Sequence, residues 1–215
     1  MTHDMTSSWV VLIALGAFHG INPGMGWLFA VALGLQEQRR AAVLRALVPL
    51  GVGHALAVAV AVILAAAVGA VIPVSSLKWP IAAILLTFGV LRLVRHRHPR
   101  WAGMRVSMRG LTLWSFMMAT AHGAGLMVVP VFMTMSTVRA SSHAHHMMMA
   151  TAQTSATTAT VATGLHAIGY LAVTAVVALV VFEKLGVGVL RRIWFNVDLL
   201  WAAALVLTGV MTLFV

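Results

Sequence analysis

Apolar residues run along this chain in long blocks, without the strict alternation of a strand or the one-sided stripe of a soluble helix. Six blocks stand out, over about 8–35, 46–72, 79–95, 111–135, 158–182 and 193–215. A helix needs roughly 20 apolar residues to cross a bilayer, so the third is short and the others are long enough. The pattern predicts an all-α integral membrane protein of six transmembrane helices. The first block is built to fail as a plain helix. Within Gly16-Ala-Phe-His-Gly-Ile-Asn-Pro-Gly-Met-Gly-Trp27, Pro23 lacks an N–H and disfavours a helical conformation at Asn22. Gly20, Gly24 and Gly26 each weaken helix by roughly 1 kcal/mol relative to Ala. Backbone freed in this way at membrane depth is tolerated only against protein or a water-filled cavity. His19 and Asn22 stand at the break, where a transporter commonly holds its cargo; the plainer alternative is a proline kink with one hydrogen-bonded histidine.

The loops orient the blocks. Arg39, Arg40, Arg45, Arg92, Arg95, Arg97, Arg100, Arg105, Arg109, Lys184, Arg191 and Arg192 fall on one side, against Lys78 and Arg139 on the other. The positive-inside rule then places both termini outside the cytoplasm, in a bacterial-type inner membrane. Trp9, Trp79, Trp101 and Trp194 lie near the expected span ends, as interfacial anchors do. Only 8% of the 215 residues are charged and the mean hydropathy is +1.00, which separates the chain from soluble domains. The formal charge of +10 sits in short loops and serves topology, so nucleic acid is not expected as a partner. With no cysteine, thiolate metal sites and thiol-based electron relay are excluded. The first block lacks a basic leader and contains Asn-Pro-Gly, so it is expected to be a span and not a signal peptide.

The second half restarts the pattern of the first. Ala17-Phe-His19-Gly20 and the residues up to Met25 match Thr120-Ala-His122-Gly123-Ala-Gly-Leu-Met127, and Gly53-His54-Ala55 matches Leu165-His166-Ala167. The halves, 1–110 and 111–215, each hold three crossings. An odd number gives them opposite orientations, the layout of inverted-repeat transporters. The matched breaks are at Pro23 and Gly24 and around Gly123 and Gly125.

Four of the ten histidines fall inside predicted spans: His19, His54, His122 and His166. Each is roughly 12–18 Å deep at 1.5 Å per residue. Ionisable groups there are costly unless they face a cavity or one another, and neutral imidazole is the commonest metal ligand. The set is read as a shared site with Asn22; helix-packing histidines duplicated with the repeat are the alternative. Asp198 is the only acid expected within the membrane, suited to proton coupling or to pairing with Arg191, Arg192 or Arg109. The loop over 136–157 reads as flexible and partly helical near its ends. Its His143, His145, His146 and Met147 offer imidazole and thioether for capturing nickel, cobalt, zinc or copper. Met25 and Met127 flank the two breaks. No motif for hydrolysis, phosphate binding or intramembrane proteolysis is present, so no enzyme is expected.

With these residues in view the chain resembles the lysine-exporter superfamily of small six-span transporters, nearest in flavour to nickel/cobalt exporters. It is also similar in layout to cytochrome-biogenesis and disulfide-reductase membrane domains. The resemblance implies alternating access and outward movement of a cation or small solute. It departs from the nickel/cobalt pattern in that His19 is followed by Asn22, Pro23 and Gly24, with no acidic residue. The cysteines of the electron-carrying relatives are absent. The expectation is proton-coupled efflux of a divalent transition metal, with the bilayer and, as an open alternative, a second copy of the chain as partners. Two other readings stay open: a membrane-embedded haem- or copper-binding protein using paired histidines, and an exporter of a small organic solute such as an amino acid.

Overall fold

The computed structural model describes residues 2–69, 74–94, 107–142, 148–185 and 190–214, with side chains over 6–68, 76, 78–91, 94, 107–135, 156–184 and 202–214. Among them every regular element is helical: α1 (Thr2–Ile21), α2 (Trp27–Glu37), α3 (Arg40–Gly69), α4 (Val74–Val94), α5 (Met108–Ala121), α6 (Ala124–Ser142), α7 (Met148–Val180) and α8 (Leu190–Phe214). A short 3-10 turn, Pro23–Met25, separates α1 from α2, and a π turn over Val181–Leu185 ends α7.

Two stretches, Arg40–Val68 and Ala156–Lys184, are long and apolar enough to cross a membrane. A third crossing results if α5 and the first part of α6, bent by 62° at their junction, count as one span. Among the residues described with side chains, the remaining apolar stretches, Thr6–Ile21, Trp27–Glu37, Lys78–Leu91 and Ala202–Phe214, are shorter. The outward face of α3 carries Val48, Val52, Leu56, Val60 and Leu64, each a turn beyond the last and all largely exposed. Water would select polar side chains on such a face, whereas lipid accepts it. The region 136–157 is more regular than expected: α6 continues to Ser142 and α7 starts at Met148. Alanine and methionine, frequent there, are among the better helix formers, which favours continuing the helices past the apolar stretch.

Small residues set the helix packing. α1 lies along α7, α3 along α5 and along α7, and α4 along α8. At the α1–α7 crossing a Cβ on Gly16 would fall 2.0 Å from the His166 carbonyl oxygen, and one on Gly169 would fall 2.3 Å from that of Ile13. The two backbones touch, as helices do where lipid supplies no hydrophobic drive and close van der Waals packing must hold them. On α3, a Cβ on Gly53 would meet the Thr112 carbonyl oxygen of α5 at 2.2 Å. His54 and His166 neighbour these contacts in sequence, so close packing brings their helices around one centre.

Candidate functional site

α1 ends at Ile21 because Asn22 is extended (φ −68°, ψ 122°) ahead of Pro23. The Asn22 side-chain oxygen accepts the Gly24 amide at 2.8 Å, and Gly26 turns left-handed at φ 119° before α2 begins. Backbone groups released by the break are caught by side chains. The Trp27 indole donates to the Ile21 carbonyl at 2.9 Å, and the Tyr170 hydroxyl of α7 donates to the Met25 carbonyl at 2.7 Å. The second break is tighter and consists of His122 and Gly123, with Gly123 left-handed at φ 72°. Gly125, expected to belong to it, already lies in α6, where a Cβ would fall 2.3 Å from that of Ala61.

His19, at the end of α1, is fully buried, as are His54 in α3 and His166 in α7; His122 is 3% exposed. The rings of His19, His54 and His166 form a triangle with centroids 5.0 Å (His19–His166), 5.3 Å (His54–His166) and 5.5 Å (His19–His54) apart. Hydrogen bonds fix the tautomers. His19 Nδ1 donates to the Leu15 carbonyl at 2.6 Å, His122 Nδ1 to Met118 at 2.9 Å, and His166 Nδ1 to Leu12 at 3.2 Å. A carbonyl can only accept, so each Nδ1 carries the hydrogen and each Nε2 holds the lone pair. His19 and His122 use the same bond, one turn back on their own helix, at matched positions in the two halves.

Both nitrogens of His54 and Nε2 of His166 are buried with no hydrogen-bond partner among the described residues, as is Asn22 Nδ2. Orphaned buried polar atoms are rare and costly, and a group of them marks a place where something polar binds. His122 reaches the same region from the second break. Its Cε1 is 3.7 Å from where a Gly24 Cβ would stand, beside the Met118 methyl at 3.4 Å and Asn22 Oδ1 at 3.2 Å. It is also within electrostatic reach of His19. Met25 and Met127 are both fully buried in the same apolar core.

Imidazoles bound to one ion at 2.0–2.1 Å in a tetrahedral arrangement have ring centres about 5 Å apart, which is the spacing seen. The rings are not yet turned for it: His54 and His166 are nearly parallel, at 10°, and no group of three ligating side chains among the described residues forms an ion site as it stands. Binding would require the His54 ring, stacked on Tyr170, to turn.

Tyr170 and Ser115 were not singled out from sequence. The Tyr170 ring stacks on His54 at 3.9 Å and 9°, so it joins the imidazoles to the first break. Ser115 Oγ donates to the Leu50 carbonyl at 2.6 Å, one turn before His54. The available signal was the one tyrosine of the chain lying a turn after His166. Asp198 is on α8 but its side chain lies outside the described residues; His143, His145, His146 and Met147 lie wholly outside them. Arg40 pairs with Glu183 at 2.6 Å, which ties the start of α3 to the end of α7.

The fold and site define a class: a helical protein with helices fit to cross a membrane and a buried centre where imidazoles from three helices meet. Comparison with family models, curated proteins and solved structures finds no match.

Proposed function

We propose that the protein is a membrane transporter that carries a divalent transition-metal cation, nickel or cobalt in type, through the centre where His19, His54 and His166 meet. The observation that carries this reading is the triangle of rings with orphaned nitrogens on His54 and His166, drawn from three helices and set beside a broken one. In the proposed layout six spans form two inverted halves of three. The helix pairing supports it. Exchanging α1–α2 with α5–α6, α3 with α7, and α4 with α8 converts the α1–α7 contact into the α5–α3 contact. The same exchange leaves the α3–α7 and α4–α8 contacts in place. Such exchange of equivalent halves is the basis of alternating access around a fixed central site.

Ligation needs the neutral ring, so protons compete with the metal and a proton gradient can drive release. Asn22 and His122 line the path between the two breaks, and Asp198 is assigned to proton coupling on the cytoplasmic side. A haem held between two imidazoles needs a flat slot as wide as the macrocycle, whereas the His54 ring is stacked against both His166 and Tyr170, which favours a small ion.

Titration calorimetry of the purified protein with Ni²⁺, Co²⁺ and Zn²⁺ tests the assignment. His54→Ala or His166→Ala should weaken binding by more than roughly 100-fold, beyond the loss typical of a supporting residue. Lowering the pH should weaken wild-type binding. A wild-type protein that binds none of these ions would move the cargo to an organic solute.

A further inference from the structure

On α7, Thr158, Ala162, His166, Tyr170, Thr174 and Ala178 recur at every fourth position, and all are buried. Each step of four residues advances about 40° round the helix, so the row winds about α7 as it rises, and Thr158 to Thr174 spans about 24 Å, most of a hydrocarbon core. The two ends of this row differ. At the end near the start of α1 is a pocket of about 400 Å³ lined by Trp9, Thr157, Thr158, Val161 and Leu165. Leu165 directly precedes His166, and Trp9 is a turn from Leu12, whose carbonyl holds the His166 ring. Two lining residues thus belong to the same stretches of α1 and α7 that hold the His166 ring. At the other end Tyr170 covers His54, and past Thr174 the row enters an apolar cluster of Trp27, Val31, Val43, Leu50, Leu111 and Ala178.

We propose that this pocket is the mouth through which a small hydrated cation reaches the imidazole cluster, and that the cluster is open from this side only. Hydroxyl groups and an indole face are suitable linings for a cation that still carries water. Among the described residues no Lys or Arg is buried, so no fixed positive charge stands between the mouth and the rings. The proposal rests on the transport reading, but its test measures access and not transport.

The chain has no cysteine, so single cysteines can be read without background. Full-length Thr157→Cys, Leu165→Cys, Ile168→Cys and Ala178→Cys proteins are reconstituted in sealed, oriented vesicles. A charged, water-soluble thiol reagent is then applied to each face. Only an ionised, wetted thiol reacts, so Thr157→Cys and Leu165→Cys should label from the face bearing the start of α1 at least roughly tenfold faster than Ile168→Cys or Ala178→Cys. Ile168 is 62% exposed on the outer face of α7 and reports lipid. Denatured samples of all four must label fully, and monodisperse elution confirms folding. The proposal is overturned if Leu165→Cys resists from both faces, which would mean that lipid or side chains fill the pocket. It is equally overturned if Ala178→Cys reacts as fast as Leu165→Cys. If this labelling pattern holds but no metal binds, the cargo assignment falls and the mouth stands; metal binding without the pattern does the reverse.

Discussion

From Asn22 to Gly26 the first break leaves the α-helix for a whole 3-10 turn, whereas the second departs only at His122 and Gly123. The first follows a His-Gly pair and the second consists of one, and both histidines bond back to the carbonyl one turn earlier. The difference is in what holds them. The first is braced from outside and across itself: Tyr170 of α7 takes the Met25 carbonyl, Trp27 takes that of Ile21, and Asn22 caps Gly24. The second is closed by backbone bonds, His122 N to Met118 O at 2.9 Å, Gly123 N to Thr120 O at 3.1 Å and Met127 N to Gly123 O at 3.0 Å. A proline opens more backbone than a glycine bend does, and the surplus polar groups must be satisfied by side chains. The wide break should therefore depend on α7, and the narrow one mainly on its own chain.

The sharpest contrast is between the two left-handed glycines. In Gly26→Ala the new methyl would sit 2.4 Å from Leu50 Cδ2, on a backbone at φ 119° that L-residues rarely adopt. Strain and overpacking together predict a loss of about 3 kcal/mol or more. Gly123→Ala, at φ 72° and with the nearest atom, Leu205 Cδ2, farther off at 2.9 Å, should lose about 1–2 kcal/mol. Thermal or denaturant unfolding in detergent compares them. Equal losses would mean that the two breaks are equally constrained.

Next in size is Tyr170→Phe. It keeps the ring on His54 and strips the buried Met25 carbonyl of its donor, which predicts a loss of about 1–3 kcal/mol. Because the stack is kept, metal affinity should fall much less than in His54→Ala. A matching collapse of both would mean that the phenol oxygen itself belongs to the binding site. Asn22→Ala comes third, at about 1 kcal/mol for a lost cap. Asn22→Ser keeps an oxygen able to cap and should recover most of that stability. If it recovers stability but not binding, the orphaned Asn22 amide N–H group is what the cargo uses, and a donor of that kind holds an acceptor-bearing solute and not a bare cation.

Sequence made the helices, the two breaks and the four buried histidines legible, because hydropathy, proline and depth are local properties. It did not reveal which rings meet. His122 aligns with His19 in the sequence, yet the triangle joins His19 to His54 and His166, because helix pairing is set where Gly16, Gly53 and Gly169 let backbones touch. Tyr170 was illegible for the same reason: its value lies in reaching Met25, 145 positions away in the chain. Gly125 looked like part of a break by composition, but a glycine inside an apolar run serves equally well to admit a neighbouring helix, here α3 at Ala61.

The smallest expected effect carries the most information about cause. Pro23 is the residue that makes the first break visible in sequence, but the structure shows the chain turning left-handed three positions later, with α7 already bound to Met25. If tertiary bonds hold the break, Pro23→Ala should leave it in place and lose less than about 1 kcal/mol, the usual contribution of a proline that only restricts the unfolded chain. The Tyr170–Met25 hydrogen bond, followed by the vibrational signature of the one tyrosine in the chain, should persist. If instead α1 and α2 fuse into one helix, that signature shifts to a phenol without this acceptor, Asn22 loses its capping role, and the imidazole triangle loses its open neighbour. In that case the proline alone would be the cause of the site, and α7 would merely be packed against it.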